Sequence, residues 1–245
     1  MRILKDINSE KILFLDIETV PQHPDYHHLS EKFKKLWDAK AKYIIKSRKD
    51  ESPEKETPAD VYNRAGIYSE FGKVIAVTVG MINGKNFRLK SFYGDEEKTL
   101  LEELISLLEK HYDISTHYLC AHNGKEFDFP FLARRIMMNQ LPIPKILDNA
   151  GKKPWEVKHL LDTMELWAFG DYKNFTSLDL LATIFNIPSP KDDIDGSMVW
   201  KVYWKDKDIE RIVKYNRKDV LTVAQIFLRF KGEPLIEEKN VVIIE

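Results

Sequence analysis

The stretch KILFLDIET, residues 11–19, decides which fold this chain can adopt. Residues 12–15 are consecutive apolar side chains, a run that suits a buried strand and is too short for a helix. Asp16 follows directly, and Glu18 comes two positions later. We therefore predict a buried strand over residues 11–16 that ends at Asp16, where a cleft opens.

The composition around this strand is that of a globular protein, with 43% hydrophobic and 31% charged residues in a chain of 245. We expect one domain over residues 1–245, with a charged helical insertion at about 22–64. The net charge of -1 gives no overall attraction to nucleic acid, so binding needs a local basic surface or metal ions. Cys120 is the only cysteine, and no apolar stretch approaches the roughly 20 residues that span a bilayer. Both features indicate a cytoplasmic protein.

A helix and a connector are predicted after the first strand. Residues 29–45 carry apolar side chains at helical spacing beside several lysines, which predicts an amphipathic, basic helix. The predicted apolar face consists of Leu29, Phe33, Leu36, Trp37, Tyr43 and Ile44. Its lysines and aromatic side chains suit contact with DNA, although aromatic residues packed on a core explain the same pattern. Residues 47–58 are almost wholly charged and contain two prolines, so we predict a mobile connector there.

The remainder of the chain predicts an α/β protein. The β-branched segment 74–81 and the segment 87–93 flank Asn83-Gly84, a dipeptide that favours a hairpin. The later predicted elements are helices at 95–112, 129–138, 178–185 and 207–230 and a strand at 118–121. A strand meander followed by alternating helices and strands predicts a mixed central sheet with helices on both faces.

Four carboxylates and one phenol are the candidate site. Asp16 and Glu18 would project to the same side of an extended strand. Asp128 stands at the entrance to an apolar helix, where it suits an N-cap as well as a metal ligand. Tyr215 and Asp219 are one helical turn apart and share a face. Mg²⁺ and Mn²⁺ prefer such oxygen ligands, and two ions roughly 3.5–4 Å apart can stabilise both the attacking and the leaving oxygen of a phosphoryl displacement.

The three motifs resemble those of the DEDD superfamily of 3'-5' exonucleases, in the branch with tyrosine in the last motif. They read DIE at 16–18, N-x-x-x-F-D at 123–128 and Y-x-x-x-D at 215–219. The stretch PKDDIDGSMV at 190–199 resembles predicted exonucleases related to the proofreading domain of family B DNA polymerases. The resemblance covers most of the chain, least strongly over residues 21–63 and after Gly232, and implies a ribonuclease H-like fold.

The resemblance also implies a mechanism. Asp16, Glu18, Asp128 and Asp219 would hold two Mg²⁺ or Mn²⁺ ions, with Asp16 contacting both. Tyr215 would hydrogen-bond the attacking water, which makes all five residues catalytic. The implied reaction is hydrolysis of 3'-terminal phosphodiester bonds of DNA, at single-stranded ends, with release of nucleoside 5'-monophosphates. Nucleic acid is thus the implied partner, with a DNA polymerase acting in trans and a role in DNA repair.

Four further residues are secondary candidates. Asn123 would fix the end of a strand and Phe127 would support the terminal nucleotide, although simple packing explains both residues equally well. Thr19, next to Glu18, is the third substrate-binding candidate. Asp162 follows an apolar pair as Asp16 does, and we expect it to support the site.

Three other interpretations stay open. The substrate is RNA if the site contacts the sugar 2'-hydroxyl, which the sequence does not reveal. A non-catalytic nucleic-acid-binding module that assists a polymerase could keep the fold, although the intact acids argue against it. A glycosidase also uses paired carboxylates, but it does not need a spaced tyrosine and aspartate on one helix.

Overall fold

Six strands form one mixed sheet in the computed structural model, which describes residues 1–47, 56–171, 175–188 and 194–244. The strands are β1 Ile12–Pro21, β2 Gly72–Asn83, β3 Asn86–Tyr93, β4 Tyr118–Ala121, β5 Leu160–Asp162 and β6 Val241–Ile244. Their order across the sheet is β5-β4-β1-β2-β3-β6. β1, β2 and β3 are antiparallel neighbours, whereas β4, β5 and β6 each run parallel to the strand they join.

Helices cover both faces of this sheet. The α-helical segments are α1 Glu31–Ser47, α2 Glu97–His111, α3 Asp128–Met138, α4 Thr163–Ala168, α5 Leu178–Ile184, α6 Val199–Lys201 and α7 Ile209–Lys231. Side chains of β1 alternate between two cores: Leu13 and Leu15 pack with α2 and α3, and Ile12 and Phe14 pack with α5 and α7. The predicted α/β class, with its mixed sheet between helical layers, is confirmed.

The prediction that the first strand ends at Asp16 is wrong. β1 continues to Pro21 because β2 pairs with it from Phe14 opposite Gly80 to Pro21 opposite Gly72. The register shifts between Glu18 and Thr19, which is the mark of a β-bulge. The two acids of the first motif therefore lie within a paired strand.

Most other predicted elements are confirmed within a few residues. The hairpin forms with Asn83 paired to Asn86, and α2, β4, α3, α5 and α7 lie where the periodicity placed them. Four short elements, β5, β6, α4 and α6, were not predicted, because they are too short to show a period. The predicted connector at 47–58 and the stretch at 190–199 fall partly on residues 48–55 and 189–193, which lie outside the described residues.

The apolar face predicted for the helix at 29–45 is partly wrong. α1 begins at Glu31 and buries Trp37, Ala41 and Ile44, whereas Tyr43 is 76% exposed. Trp37 donates its indole N–H to the carbonyl of Pro58, 2.7 Å away, and its ring packs in a cluster between α1 and the turn at 62–67. Because Trp37 is fully buried, it cannot stack on a base.

The turn at 62–67 packs closely on the end of β1. A Cβ atom on Gly66 would lie 3.0 Å from the backbone of Val20, so a side chain at this position would crowd the strand. This contact holds the segment that includes α1 beside the strand that carries Asp16 and Glu18.

A buried ion pair joins α2 and α3 to the sheet. Arg135 of α3 donates to both oxygens of Glu97, at 2.9 and 2.5 Å, and Glu97 also accepts the backbone N–H of Val74 at 2.7 Å. Both charged side chains are buried. The pair therefore fixes the position of α3, whose first residue is Asp128. Among the described residues, no helix is both long and apolar enough to cross a membrane.

Candidate metal centre

Three carboxylates meet between β1 and α7. Asp16, Glu18 and Asp219 each offer one oxygen atom, and these atoms all lie within 4.8 Å of one another. Asp16 and Glu18 lie on the side of β1 that faces α7, because alternate residues of a strand share a side and Phe14 packs against α7. Glu18 is buried and the other two are half-buried. The strand and the helix thus bring together acids about 200 positions apart.

The electrostatics of this cluster favour a bound cation. Burial raises the pKa of Asp16 well above its ordinary value, and the charges of Asp128, Glu18 and Asp219 raise it further. Burial also raises the pKa of Glu18, as do the charges of Asp219 and Asp128. A divalent cation would relieve this repulsion and replace the lost solvation. The oxygen donors present fit Mg²⁺ or Mn²⁺, which prefer carboxylate ligands.

Asp128 lies next to this group but outside it. It is the first residue of α3, only 2% exposed, and its Oδ1 accepts the backbone N–H of Ile17 at 3.1 Å. Burial raises the pKa of Asp128 to about 7, although backbone hydrogen bonds lower it. Phe127, not Asp128, occupies the N-cap position, and no side-chain capping bond is present. The N-cap alternative is therefore wrong, while the negative charge still lies favourably at a helix N-terminus.

Tyr215 lies one turn before Asp219 on α7, and their side chains are hydrogen-bonded. Burial raises the pKa of the phenol far above its usual range, and the negative charges of Asp219 and Glu18 raise it further. The hydroxyl therefore stays protonated at neutral pH. Tyr215 can donate a hydrogen bond at this site but cannot act as a base there.

Asn216 is a site residue that the motif analysis missed. Its Nδ2 donates to Asp16 Oδ2 at 2.6 Å, and its amide also hydrogen-bonds Glu18. The residue is fully buried, and its Oδ1 has no hydrogen-bond partner within the described part of the chain. The available signal was its spacing, because Ile212, Asn216 and Val220 follow each other at four-residue intervals on the buried side of α7. A polar residue in such a row needs a polar partner.

The secondary candidates lie around the carboxylates rather than among them. Thr19 is half-buried at the bulge beside Glu18. Asn123 has a left-handed backbone (φ 61°) in the turn after β4, which asparagine tolerates well. The ring of Phe127 is half-buried and packs on Phe131, with ring centroids 5.3 Å apart.

Asp162 fixes the turn that carries the second motif. Its carboxylate accepts the backbone N–H groups of Asn123 at 2.9 Å and Lys125 at 3.0 Å, and it also accepts from Met164 at 2.9 Å. It is the N-cap of α4 and is 3% exposed. Asp162 thus joins the loop before α3 to the end of β5, which is a supporting position.

A cavity of about 830 Å³ is lined by residues of this loop, of α3, of α4 and of the segment 143–157. Asn123 and Asp162 line it, together with the apolar side chains of Phe129, Met137 and Leu147. Asp16, Glu18 and Asp219 do not line it. The carboxylate cluster is therefore separate from this cavity.

Comparisons with known proteins agree with the motif analysis. Residues 67–234 match a family described as predicted 3'-5' exonucleases related to the exonuclease domain of PolB. The matched range includes Asp128, Tyr215 and Asp219 but begins after Asp16 and Glu18. No curated protein matches the chain.

Among solved structures, the chain is similar to a family B DNA polymerase from the hyperthermophilic archaeon Pyrobaculum calidifontis. The TM-score is 0.50 and the sequence identity 16%, over 89% of this chain and 24% of the polymerase chain. The chain thus spans about a quarter of the polymerase. This likeness confirms the predicted ribonuclease H-like fold.

Proposed function

Because the chain belongs to the family of predicted 3'-5' exonucleases related to the exonuclease domain of PolB, we propose that it hydrolyses the 3'-terminal phosphodiester bonds of DNA. The proposed substrate is a single-stranded end, and the product is a nucleoside 5'-monophosphate. The observation that carries the proposal is the group of three carboxylates, Asp16, Glu18 and Asp219, whose oxygens lie within 4.8 Å of one another. We further propose that residues 1–245 are one exonuclease domain with an insertion at about 22–64.

The proposed metal ligands are Asp16, Glu18, Asp128 and Asp219, which would hold two Mg²⁺ or Mn²⁺ ions. When bound, these ions supply the positive charge that activates the attacking water and stabilises the leaving 3'-oxygen. The raised pKa values of Asp16 and Glu18 support the assignment, because crowded acids in a poorly solvated site favour a bound cation. Asp128 adds a negative charge beside the group while its Oδ1 accepts the Ile17 N–H.

Each remaining residue has a proposed positioning role. Tyr215 hydrogen-bonds the attacking water through its phenolic oxygen and orients it, while the hydroxyl keeps its proton at neutral pH. Asn216 holds Asp16 and Glu18 in place through its amide. Thr19 adjoins Glu18, and Asn123 and Phe127 lie on the loop before α3; we propose that these three contact the terminal nucleotide.

A polymerase in trans is the proposed protein partner. The likeness to part of a family B DNA polymerase, over 24% of that chain, supports this proposal. We propose that the two act in the cytoplasm during DNA repair. Cys120 is free and buried, which fits a reducing compartment.

Product analysis on labelled oligonucleotides tests the proposed reaction. Wild type and Asp16→Ala are incubated with 5'-labelled single-stranded DNA or RNA of one sequence, in Mg²⁺, Mn²⁺ or chelator. Asp6→Ala at an exposed position is the matched control. We expect a metal-dependent ladder that shortens from the 3' end of DNA with wild type and the control, and no ladder with Asp16→Ala. A ladder on RNA alone would show that the substrate is RNA rather than DNA, and no ladder on either polymer would overturn the proposal.

A further inference from the structure

Aromatic and basic side chains form an exposed surface beside the end of β1. We call it the tryptophan-lysine surface and define it as Lys73, Trp200, Trp204, Lys205 and Lys207. Both tryptophans are half-buried, and Lys205 and Lys207 are exposed. The tryptophans flank the start of a π-helical turn, Val202–Asp206, that follows α6. Such turns are rare and are often found at functional sites.

The turn is attached to the strands of the metal centre. The indole N–H of Trp204 donates to the carbonyl of Pro21, the last residue of β1, at 3.0 Å. Lys73, which pairs with Val20 in the sheet, donates to the hydroxyl of Tyr203 at 2.8 Å. These contacts hold the turn, and with it Trp204, beside β1 and β2.

Each tryptophan ring has the apolar cluster of Val20 and Ile212 on one side and lysine ammonium groups near its face. Lys205 Nζ lies 5.4 Å from the Trp200 centroid, and Lys207 Nζ lies 4.9 Å from that of Trp204. Lys73 Nζ also lies over Trp204, at 5.1 Å. Within the described residues, these rings rather than carboxylates are the partners of Lys205 and Lys207. Such an ammonium can still bind a phosphate.

Most of the acids around the surface have other partners. Asp95 accepts the hydroxyl of Tyr203, and Asp208 accepts the backbone N–H of Arg211 at 3.1 Å as the N-cap of α7. Glu210 accepts the hydroxyl of a tyrosine on β3 at 2.9 Å. A fourth acid, Asp206, is exposed and lies within the turn itself. These acids keep their negative charge, so the attraction for a phosphate comes from the exposed ammonium groups of Lys205 and Lys207 themselves, on a chain whose net charge is -1.

The surface lies close to the carboxylates. Pro21 is three strand residues beyond Glu18, which corresponds to about 10 Å at the rise of a β-strand. Tyr215 packs against the same apolar cluster as Trp200 and Trp204. Even at the 3.4 Å per nucleotide of a strand in duplex DNA, roughly three nucleotides cover this distance. A strand whose terminal nucleotide reaches the carboxylates can therefore place its next bases on the tryptophans.

We propose that the tryptophan-lysine surface binds single-stranded nucleic acid and leads its 3' end to the carboxylates. The orientation of the strand rests on the proposed function, whereas the binding itself does not. A base that stacks on Trp200 or Trp204 takes the place of the lysine over that ring, and the displaced ammonium binds the adjoining phosphate. Aromatic rings with neighbouring cations bind unstacked bases in this way, and a duplex hides the base faces they need. The surface thus selects single strands.

Equilibrium binding in chelator tests this proposal without any cleavage. Fluorescence anisotropy measures the Kd of a 5'-fluorescein-labelled 12-nucleotide single strand and of the same sequence as a blunt duplex, each across a range of salt. The charge test is Lys205→Gln with Lys207→Asn, two exposed positions at which substitution leaves the cores intact. Asparagine also tolerates the left-handed backbone at 207. The matched control is Lys11→Gln with Lys85→Gln at the opposite end of the sheet.

The stacking test uses two similar tryptophans. Trp200→Ala removes a ring of the surface, and Trp155→Ala removes a ring that is 65% exposed, with Lys153 at 5.1 Å from its centroid, outside the surface. We expect Trp200→Ala to weaken single-strand binding about 5-fold or more, the lower limit for loss of one stacked base. Trp155→Ala should bind as wild type does. The double lysine variant should lower the salt slope by about 1.4, for two lost phosphate contacts on a single strand.

The outcomes separate this proposal from the proposed function. The proposal is supported if wild type binds the single strand in chelator and only the surface variants have a lower affinity. This holds even if the protein shows no cleavage with metal. Surface variants that bind as tightly as their controls overturn it, even if the enzyme cleaves normally. Equal affinity of wild type for single strand and duplex also overturns it. If thermal unfolding shows that Trp200→Ala is misfolded, the affinity of the double lysine variant, compared with its control, tests the proposal alone.

Discussion

Replacement of Asp128 by asparagine should stabilise the metal-free protein at pH 8. Asp128 is 2% exposed, and its Oδ1 accepts the backbone N–H of Ile17. Asparagine has nearly the same shape and can accept that hydrogen bond, so the substitution removes the charge and little else. The effect on the free energy of unfolding therefore measures the cost of a buried carboxylate beside Asp16 and Glu18.

The size and sign of the effect follow from the pKa of Asp128, which burial raises from 3.8 to about 7. Between these two values the folded protein binds more protons than the unfolded chain, so the free energy of unfolding falls as pH rises from about 4 to 7. A shift of roughly 3 units at 1.36 kcal/mol each gives a loss of up to about 4 kcal/mol. For a chain of this size, 1 kcal/mol corresponds to about 2–4 °C in Tm, so the gain at pH 8 is up to roughly 8–16 °C.

Thermal unfolding of three proteins tests this reasoning: wild type, Asp128→Asn and the exposed control Asp6→Asn. In chelator, wild type and the control should have a lower Tm at pH 8 than at pH 5, and Asp128→Asn should lose less. Asp16 and Glu18, whose pKa values are also raised, should keep part of the pH dependence in the variant. Mn²⁺ should raise the Tm of wild type more than that of Asp128→Asn. If Asp128→Asn is no more stable than the control at pH 8, the ionised carboxylate carries no such cost and the argument fails.

Three other substitutions give distinct results. Tyr215→Phe should slow cleavage by about 10-fold or more, since it removes one oriented hydrogen bond, and leave the Tm gain in Mn²⁺ unchanged; unchanged turnover would remove the phenol from the mechanism. Asn216→Ala should weaken Mn²⁺ binding about 10- to 100-fold by calorimetry, because it frees Asp16 and Glu18; wild-type affinity would contradict this. Arg135→Ala should cost about 3–5 kcal/mol in denaturant unfolding, because Glu97 stays buried without its partner; a loss below 1 kcal/mol would show that solvent reaches Glu97.

The sequence predicted the fold wherever a local pattern was long enough to read. The hairpin at Asn83-Gly84 and the helix that became α7 are strong signals within one segment. β5 has three residues and joins the sheet only through its pairing with β4, so no local pattern could have revealed it. The end of β1 was misplaced for a related reason, because Asp16 interrupts an apolar run while pairing with β2 continues the strand.

The site residues that share one local segment were predicted, whereas a residue whose role depends on a distant contact was not. The spacing of Tyr215 and Asp219 was readable, since both lie on one helical turn. Asn216 was missed because its importance depends on a hydrogen bond to Asp16, 200 positions away. The exposed side of α1 was misjudged at Tyr43, because apolar spacing does not tell which of two neighbouring faces a helix buries.

The geometry adds weight to the part of the site that the family match leaves out. The match begins at residue 67, so it says nothing of Asp16 or Glu18. Yet these two acids lie on the side of β1 that α7 covers, and their oxygens are within 4.8 Å of an oxygen of Asp219, which the match includes. Burial of like charges so close together disfavours folding unless another charge offsets it. The burial of this acidic cluster, which raises the pKa values of Asp16 and Glu18, is therefore the strongest physical support for the proposal that β1 and α7 serve one metal-dependent site.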